Sequence, residues 1–476
     1  MPLKPQPTMN QITLPVSELK SALAGFNRVI QRKTTLPVLQ TIKLSRTAEG
    51  RVSLTGTDLD AFVTYHMEQS LPGETLDVLL PFEPVNKLIK GSSGDLVIIP
   101  EAKTSVKLRY DIGRSPLEQS LATNPVAEFP PVPNITELPV KLPAHFGETL
   151  RQAFETSSTD SSRYVLQGAY LDVEQPDCHT VVSTNGRALF AANSFTFDLK
   201  QPVNIAKHKF LAWPAFLTGE SQIAVQPNKD HAGWVQLITP RWTCISRQID
   251  GQFPKWRQVV PEDTDNWTRV QLSEAAMAQM LNLSSKLPGD DTEYRTLRLN
   301  VGTEFRLEGA NKDDKEYTSA VIPEVKITGK PVLSALNREH LQVALGCGLN
   351  EIRVHTELEP LLFSNQGKRM VIIPVRLTGP VTNKLTITKP TPATAPVAVP
   401  QVQPERKTPM PETTKPTESK TALDQIESCR TKLRELLTDL NELGSLIKQA
   451  DRDKRSTEKE VASVRQTIRS LQGLKI

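Results

Sequence analysis

Apolar positions along this chain switch between a helical and an alternating period, and the order of the switches repeats. A short strand at Gln11–Leu14 leads into an amphipathic helix from about Ser17 to Ile30. Leu19, Leu23, Phe26 and Ile30 form its stripe, and Ser17 is the expected N-cap. Strand-like runs follow at Val38–Leu44, Val52–Leu54 and Ala61–His66, with Thr55-Gly56-Thr57-Asp58 as turn chemistry. A second helix is predicted from about Glu83 to Lys90, stopped by Gly91, and then strands near Leu96–Pro100 and Ser105–Tyr110.

The same order returns twice. A helix from about Ala144 to Glu155, strands at Gly168–Val173 and Thr180–Ser183, a helix near Lys207–Leu217, and strands at Gln222–Gln226 and Gly233–Ile238 make the second pass. The third has helices at about Ser273–Leu283 and Arg338–Leu345. Its strands are Thr296–Val301, Glu304–Glu308, Glu351–His355, Leu361–Phe363 and Met370–Leu377. First helices start near residues 17, 144 and 273, and second helices near 83, 208 and 338, so both series step by about 125–130 residues. The expected fold class is α+β: three repeated domains of antiparallel sheets with two helices each. They should occupy 10–137, 138–262 and 263–378, behind a tail at 1–9.

After Leu377 the pattern changes. Nine prolines between Pro380 and Pro416, mixed with Thr, Ala, Val and Lys, cannot bury a core. They predict a disordered linker over 379–418 that reaches up to roughly 100 Å at ~3.1 Å per residue. From Ile426 to Leu471 two seven-residue series run in phase, and twelve of their fourteen a and d sites are apolar or small; Lys454 and Thr457 interrupt them. A coiled-coil helix is expected over 419–476, paired either with a second copy of itself or with a different coiled-coil chain.

Composition narrows the function classes. The chain has 476 residues, enough for about three domains of ~150 each. Cys178, Cys244, Cys347 and Cys429 are scattered without paired spacing, which argues against a disulfide framework or zinc site and for a reducing cytoplasm. Met1–Met9 holds no apolar h-region, and no run of about 20 apolar residues exists, so neither a signal peptide nor a membrane span is expected. The net charge of +4 is uneven: residues 379–476 carry 17 Lys+Arg against 12 Asp+Glu, which leaves 40 against 41 for residues 1–378. A near-neutral body can touch DNA only through a local basic face. Catalytic motifs are absent where chemistry would demand them. No phosphate-cradling loop of the P-loop kind occurs, and Gly346-Cys347-Gly348 reads as a helix C-cap rather than a dinucleotide fingerprint. Asp58-Leu59-Asp60 lacks a third metal ligand, and Ser183 and Ser246 lack the setting of a nucleophile elbow. No enzyme, metal or cofactor is expected.

Several stretches carry a resemblance. They are Lys33-Thr34-Thr35-Leu36-Pro37-Val38-Leu39, Leu54-Thr55-Gly56-Thr57-Asp58-Leu59, Arg163-Tyr164-Val165-Leu166-Gln167-Gly168 and Ser183-Thr184-Asn185-Gly186-Arg187-Ala188-Leu189. To these are added Phe253-Pro254-Lys255-Trp256 running on to Pro261, and the closing run Arg369-Met370-Val371-Ile372-Ile373-Pro374-Val375-Arg376-Leu377. In this order and spacing, over roughly residues 10–378, they resemble the bacterial DNA polymerase III beta subunit, the sliding-clamp family. Asn185, Arg187 and Ala188 replace the commoner Asp, His and Arg of that family, and Gln258 stands where a basic residue is common.

The resemblance implies a ring-forming homodimer that encircles double-stranded DNA without reading its sequence. DNA polymerase and clamp-loader subunits would dock on it through short hydrophobic peptides. The implied peptide pocket comprises Arg163, Leu166, Thr184, Gly186, Leu189, Pro254, Val259, Leu358, Pro360, Val371, Ile373, Pro374, Val375 and Arg376. The implied DNA-facing set is Arg28, Arg32, Lys33, Lys90, Lys207, Lys209, Lys286 and Arg338, on or just after the repeated helices. The family ends near Leu377, so the coiled-coil segment is an addition. The alternative function is a clamp-like protein scaffold that no longer encircles DNA.

Overall fold

The computed structural model describes residues 11–176, 178–228, 232–262, 266–290 and 292–377. The tail at 1–9, the linker at 379–418 and the heptad segment at 419–476 lie outside the described residues. The first segment opens with β1 (Ile12–Pro15) and α1 (Val16–Phe26), then β2 (Thr41–Arg46), β3 (Val52–Thr57), β4 (Ala61–His66) and β5 (Leu76–Pro81). It closes with α2 (Phe82–Gly91), β6 (Ser93–Ala102), β7 (Ser105–Ile112) and β8 (Ser115–Ala122). The second has β9 (Val140–Lys141), α3 (Phe146–Thr156), β10 (Gly168–Asp172), β11 (His179–Thr184), β12 (Ala188–Phe195) and β13 (Val203–Ala206). It ends in β14 (Gln222–Gln226), β15 (Trp234–Ile238) and β16 (Trp242–Arg247). The third has β17 (Thr268–Leu272), α4 (Glu274–Ser284), β18 (Thr296–Val301), β19 (Phe305–Gly309), β20 (Thr318–Val321), β21 (Val325–Thr328) and β22 (Val332–Asn337). Its last elements are α5 (Arg338–Gly346), β23 (Glu351–Val354), β24 (Leu361–Asn365) and β25 (Lys368–Ile372).

One wiring rule holds in all three segments. The first strand joins the last three, and four strands between them form a second sheet; in the third segment a fifth intervening strand, β21, pairs instead with β17 at the edge of the first sheet. Sheets then fuse across segments: β4 pairs with β16 to give eight strands, and β12 pairs with β25 to give nine. The sheets β1-β6-β7-β8 and β20-β19-β18-β22 remain four-stranded. Helices cover the inner sheet faces, where Leu19, Phe26, Phe82, Leu150, Phe154, Met280 and Leu341 are buried in one continuous core. Burial of that apolar area is the dominant stabilising term.

Local expectations fail where tertiary packing or proline intervenes. Strand β1 runs straight into α1, so Pro15 rather than Ser17 is the N-cap, and the helix stops at Phe26. Ile30 is still buried, because the chain turns back with its N–H on the Phe26 carbonyl. Residues Pro37–Gln40 form a single 3-10 turn instead of strand, since Pro37 lacks the N–H a ladder needs. Thr55, Gly56 and Thr57 lie inside β3, not in a turn; a Cβ on Gly56 would meet Ile30 and Phe26 at 2.9 Å. The helix expected at Lys207–Leu217 is absent. Pro214 removes a donor and restricts Trp213, Leu217 sits at φ 50°, and the stretch forms separate turns that bury Phe210 and Phe216. The closing strand ends at Ile372, ahead of Pro374. By contrast Gly346-Cys347-Gly348 does end α5: Gly348 has φ 77°, and the N–H groups of Gly348 and Leu349 bond the carbonyls of Leu345 and Ala344.

Candidate functional site

The expected pocket residues gather where β12 meets β25. Leu189 lies opposite Val371, which lies opposite Leu362 on β24, so three apolar side chains cross the sheet on one face. Val182, Ala191, Phe253, Trp256 and Trp267 complete this cluster, and Leu166 packs against it. The segment linking β16 to β17 is fastened over the same face. Tyr170 stacks on Phe253 at 4.6 Å, Trp256 Nε1 donates to Asp172 at 2.7 Å, and Arg257 Nη1 pairs with the same buried carboxylate at 2.6 Å.

Around this floor large apolar side chains stay in solvent: Tyr164 is 54%, Val259 49%, Ile373 45% and Leu358 57% exposed. Leu358 and Pro360 lie on the turn between β23 and β24 and are not part of the buried cluster. Past β25, the Ile373 N–H bonds the Arg187 carbonyl at 2.9 Å and the Val375 N–H bonds Ala335 at 2.8 Å. Pro374, Val375 and the exposed Arg376 are thereby held as an ordered extension, and Pro254 is exposed on the linking segment.

The rim is a hairpin between β11 and β12. Buried Thr184 Oγ1 donates to the Ala188 carbonyl and accepts from Gly186 N–H, while Asn185 Oδ1 accepts from the Arg187 and Ala188 N–H groups. Gly186 sits at φ 85°, where a Cβ would also meet Arg163 Nη1 at 2.7 Å. Arg163 Nη1 in turn donates to the Asn185 carbonyl. Two rim residues reach the third segment: Asn185 Nδ2 contacts His340 Nε2 at 3.1 Å, and the Arg187 guanidinium lies over Tyr294 at 4.5 Å. Burial holds the His340 imidazole below its ordinary range. Sequence reasoning missed Val182, Phe253, Trp256, Trp267, Leu362 and His340. Val182 stands two residues before Thr184, on the same face of β11, which was a usable signal; nothing local marked Leu362 or His340.

The cations expected to face DNA divide. Lys33, Lys90, Lys209 and Lys286 are exposed, and their ammonium groups have no ion-pair partner among the described residues. Arg28 stacks over Trp213 at 5.3 Å, Arg32 pairs with Glu83 at 2.7 Å, and Lys207 donates to the Phe154 carbonyl at the end of α3. Arg338 does not face solvent. It is 1% exposed and bonds the Leu287 and Pro288 carbonyls and Asp290, tying the end of α4 to the start of α5. Among the described residues no cluster of His, Cys, Asp or Glu is placed to hold a metal, and no helix is long and apolar enough to cross a membrane.

Residues 11–133 match the family described as DNA polymerase III beta subunit, N-terminal domain. The beta sliding clamp of Pseudomonas putida is 26% identical over 369 residues, 73% of this chain and 95% of that protein. That of Escherichia coli K12 is 24% identical over 389 residues, 76% and 97%. A crystal structure of the Pseudomonas aeruginosa sliding clamp bound to griselimycin superposes with TM-score 0.65 at 22% identity, over 77% of this chain and all of that one. The Streptococcus pyogenes DNA polymerase beta subunit does so at 0.67 and 16% identity, with the same coverage. The body has the sliding-clamp fold. The matches support the sliding-clamp family; the heptad segment lies outside what the structure describes.

Proposed function

We propose that this chain is a non-enzymatic DNA sliding clamp, a processivity factor whose two copies close head to tail around duplex DNA. Polymerases and a clamp loader are tethered through short hydrophobic peptides in the site at β12 and β25. The observation that carries this reading is the state of the two four-stranded end sheets. β8 is paired on one side only, with its own Leu117 and the neighbouring Ile112 of β7 exposed, and β20 is an open edge with Val321 exposed. An open edge with apolar flanks invites strand pairing. The two ends differ, so the contact is heterologous, and it closes after two copies if each forms half a ring. Domains at 10–137, 138–262 and 263–378 would form each half, with Lys33, Lys90, Lys209 and Lys286 supplying weak, sequence-independent contacts to phosphates.

Retention on circular DNA after loading, with loss when the circle is linearised, tests the topology. Equal retention on both forms, or none, overturns it, and a monomer by sedimentation at micromolar concentration removes the ring. The scaffold reading has its own support in burial of Arg338 and the partners of Arg32 and Lys207, which thin the basic face. It predicts peptide binding without retention. For the pocket, a peptide with Gln followed by Leu and Phe should bind in the micromolar range, on the order of −8 kcal/mol. Leu189→Asp abolishes that binding but also puts a charge into a buried cluster, so an exposed pocket position is the cleaner probe. The coiled-coil reading predicts that a 419–476 peptide is helical and self-associates as its concentration rises. A monomeric helix at every concentration refutes self-pairing.

A further inference from the structure

A second cleft, of about 940 Å³, opens on the same face of the nine-stranded sheet, beyond Trp256. That size suits a specific ligand or peptide segment. Its floor crosses from β11 and β12 to β25, β24, β23 and β17, and residues Trp256–Glu262 form one wall. Arg369 lies on this floor between Ala191 and Ser364, two residues before Val371 on the same strand. Alternation therefore puts Arg369 and the pocket-floor Val371 on one face, about 7 Å apart along the strand. Cleft and pocket share Ala191, Trp256 and Leu362.

The cations here are built in and underused. The Arg369 guanidinium has no hydrogen bond or ion pair among the described residues. Arg257 is held rigid by Asp172 and by the Trp256 ring 4.7 Å away, and its Nη2 is enclosed without an acceptor. A buried donor in that state lacks a partner that native structures nearly always supply. Of the two acids lining the cleft, Glu351 accepts from Arg353 at 2.7 Å and from Ser364 at 3.0 Å, and Glu262 is exposed on the wall; Glu174 lies 3.7 Å from Arg257 Nη1.

We propose that this cleft binds a carboxylate-rich peptide segment that continues from the hydrophobic anchor in the neighbouring pocket, with Arg369 and Arg257 as its cation partners. The inference rests on the peptide-binding reading above. Planar guanidinium forks match carboxylates, and Asn193, Gln271 and Asn350 offer the mixed donors and acceptors that a peptide backbone needs. Single-stranded nucleic acid fits worse. Among the described residues Trp256 is the only aromatic lining the cleft, and it is buried under Arg257, so bases have no platform there to stack on.

Fluorescence anisotropy on the full chain tests this with three labelled peptides: the bare anchor, the anchor with Asp/Glu extensions at both ends, and the anchor with Ser/Gly extensions. The acidic extension should tighten binding about tenfold, the scale of a charge-assisted contact. Arg369→Glu should remove that gain while the bare anchor binds as before, and a Lys-rich extension should restore it. If the bare anchor binds but both extensions behave alike, or if the gain survives Arg369→Glu, this inference falls and the pocket stands. If no peptide binds, both fall. Oligo-dT binding that depends on Arg369, without a gain from the acidic extension, overturns the peptide in favour of nucleic acid.

Discussion

The two junctions between fused sheets are built alike and finished differently. β4 meets β16 from Ala61 opposite Ser246 to Tyr65 opposite Trp242, and β12 meets β25 from Ala188 opposite Ile372 to Ala192 opposite Lys368. The hairpin leading into each junction carries the same bonds. Thr57 and Thr184 donate to the carbonyls of Ala61 and Ala188, whose N–H groups donate to Asp58 and Asn185. The next residue, Leu59 or Gly186, is left-handed in both, at φ 79° and 85°. Each hairpin then receives a histidine from the following segment: His208 on Asp58 at 2.9 Å, His340 on Asn185 at 3.1 Å. The repeat is therefore atomic in detail.

The difference lies in what covers the joint. At the first, Trp242 meets Tyr65, Phe210, Phe26 and Trp213 edge-on, with centroids 4.7 to 5.8 Å apart. At the second, Tyr164, Val259 and Ile373 stay exposed. On that core face the second joint is sealed as well, by Phe190 and Met370; what distinguishes it is the opposite face, where apolar side chains remain uncovered beside Leu189 and Val371.

Breaking the first joint should have the largest effect. Trp242→Ala should cost about 3–5 kcal/mol in denaturant unfolding, with anchor-peptide affinity unchanged. If peptide binding falls in step with stability, the junctions are not independent. At the open joint the pattern reverses: Ile373→Asp should weaken the anchor peptide by at least about tenfold while the melting temperature holds. Unchanged affinity in a titration would remove Ile373 from the site.

The two histidine contacts sharpen the comparison through pH. At the first joint burial raises the Asp58 carboxyl, but the hydrogen bond and charge of His208, together with the backbone N–H of Ala61, outweigh burial and hold it below its ordinary value of 3.8. A depressed carboxylate contributes stability that is present above the unfolded value and lost as pH falls through the folded one. Asp58→Asn should therefore cost about 1–3 kcal/mol near neutrality and flatten the acid limb of an unfolding series. An unaltered acid limb would show that His208 contributes nothing there.

The smallest effect is expected from Asn185→Asp, which makes the second joint resemble the first. Burial depresses His340 below its ordinary 6.5, so the native contact is undisturbed above that value and is lost as pH falls through the folded one. A carboxylate at residue 185 should raise the His340 value in an NMR titration and protect the joint at about pH 5. A titration curve that does not move would mean the two side chains are not coupled.

Much of this was legible in local chemistry. The apolar run Met370–Ile373 was legible as a closing strand and Pro374 marked where it stops, while the resemblance of Ser183–Leu189 and the closing run to a known family pointed to the open joint. The double glycine after α5 was legible as a cap because only a left-handed residue closes a helix that way. The second helix of the middle segment was misread, because apolar spacing outweighed Pro214 in the reading but not in the fold.

By itself the sequence determined the repeat, the class of most elements and the apolar character of the closing strand, since all three follow from periodicity and backbone preference within a few residues. Only the tertiary structure decided which strands fuse across segments and that Trp256 is pinned over the pocket floor by Asp172. It also decided that Arg338 is a buried tie between helices rather than a surface cation, and that Arg369 lies unpaired beside the site. Those outcomes depend on partners 50 to 200 residues away on the chain, as the Arg338–Pro288 bond and the pairing of β12 with β25 illustrate. No local preference carries information over that distance; close packing does, by leaving one arrangement in which buried polar groups find partners and apolar faces are covered.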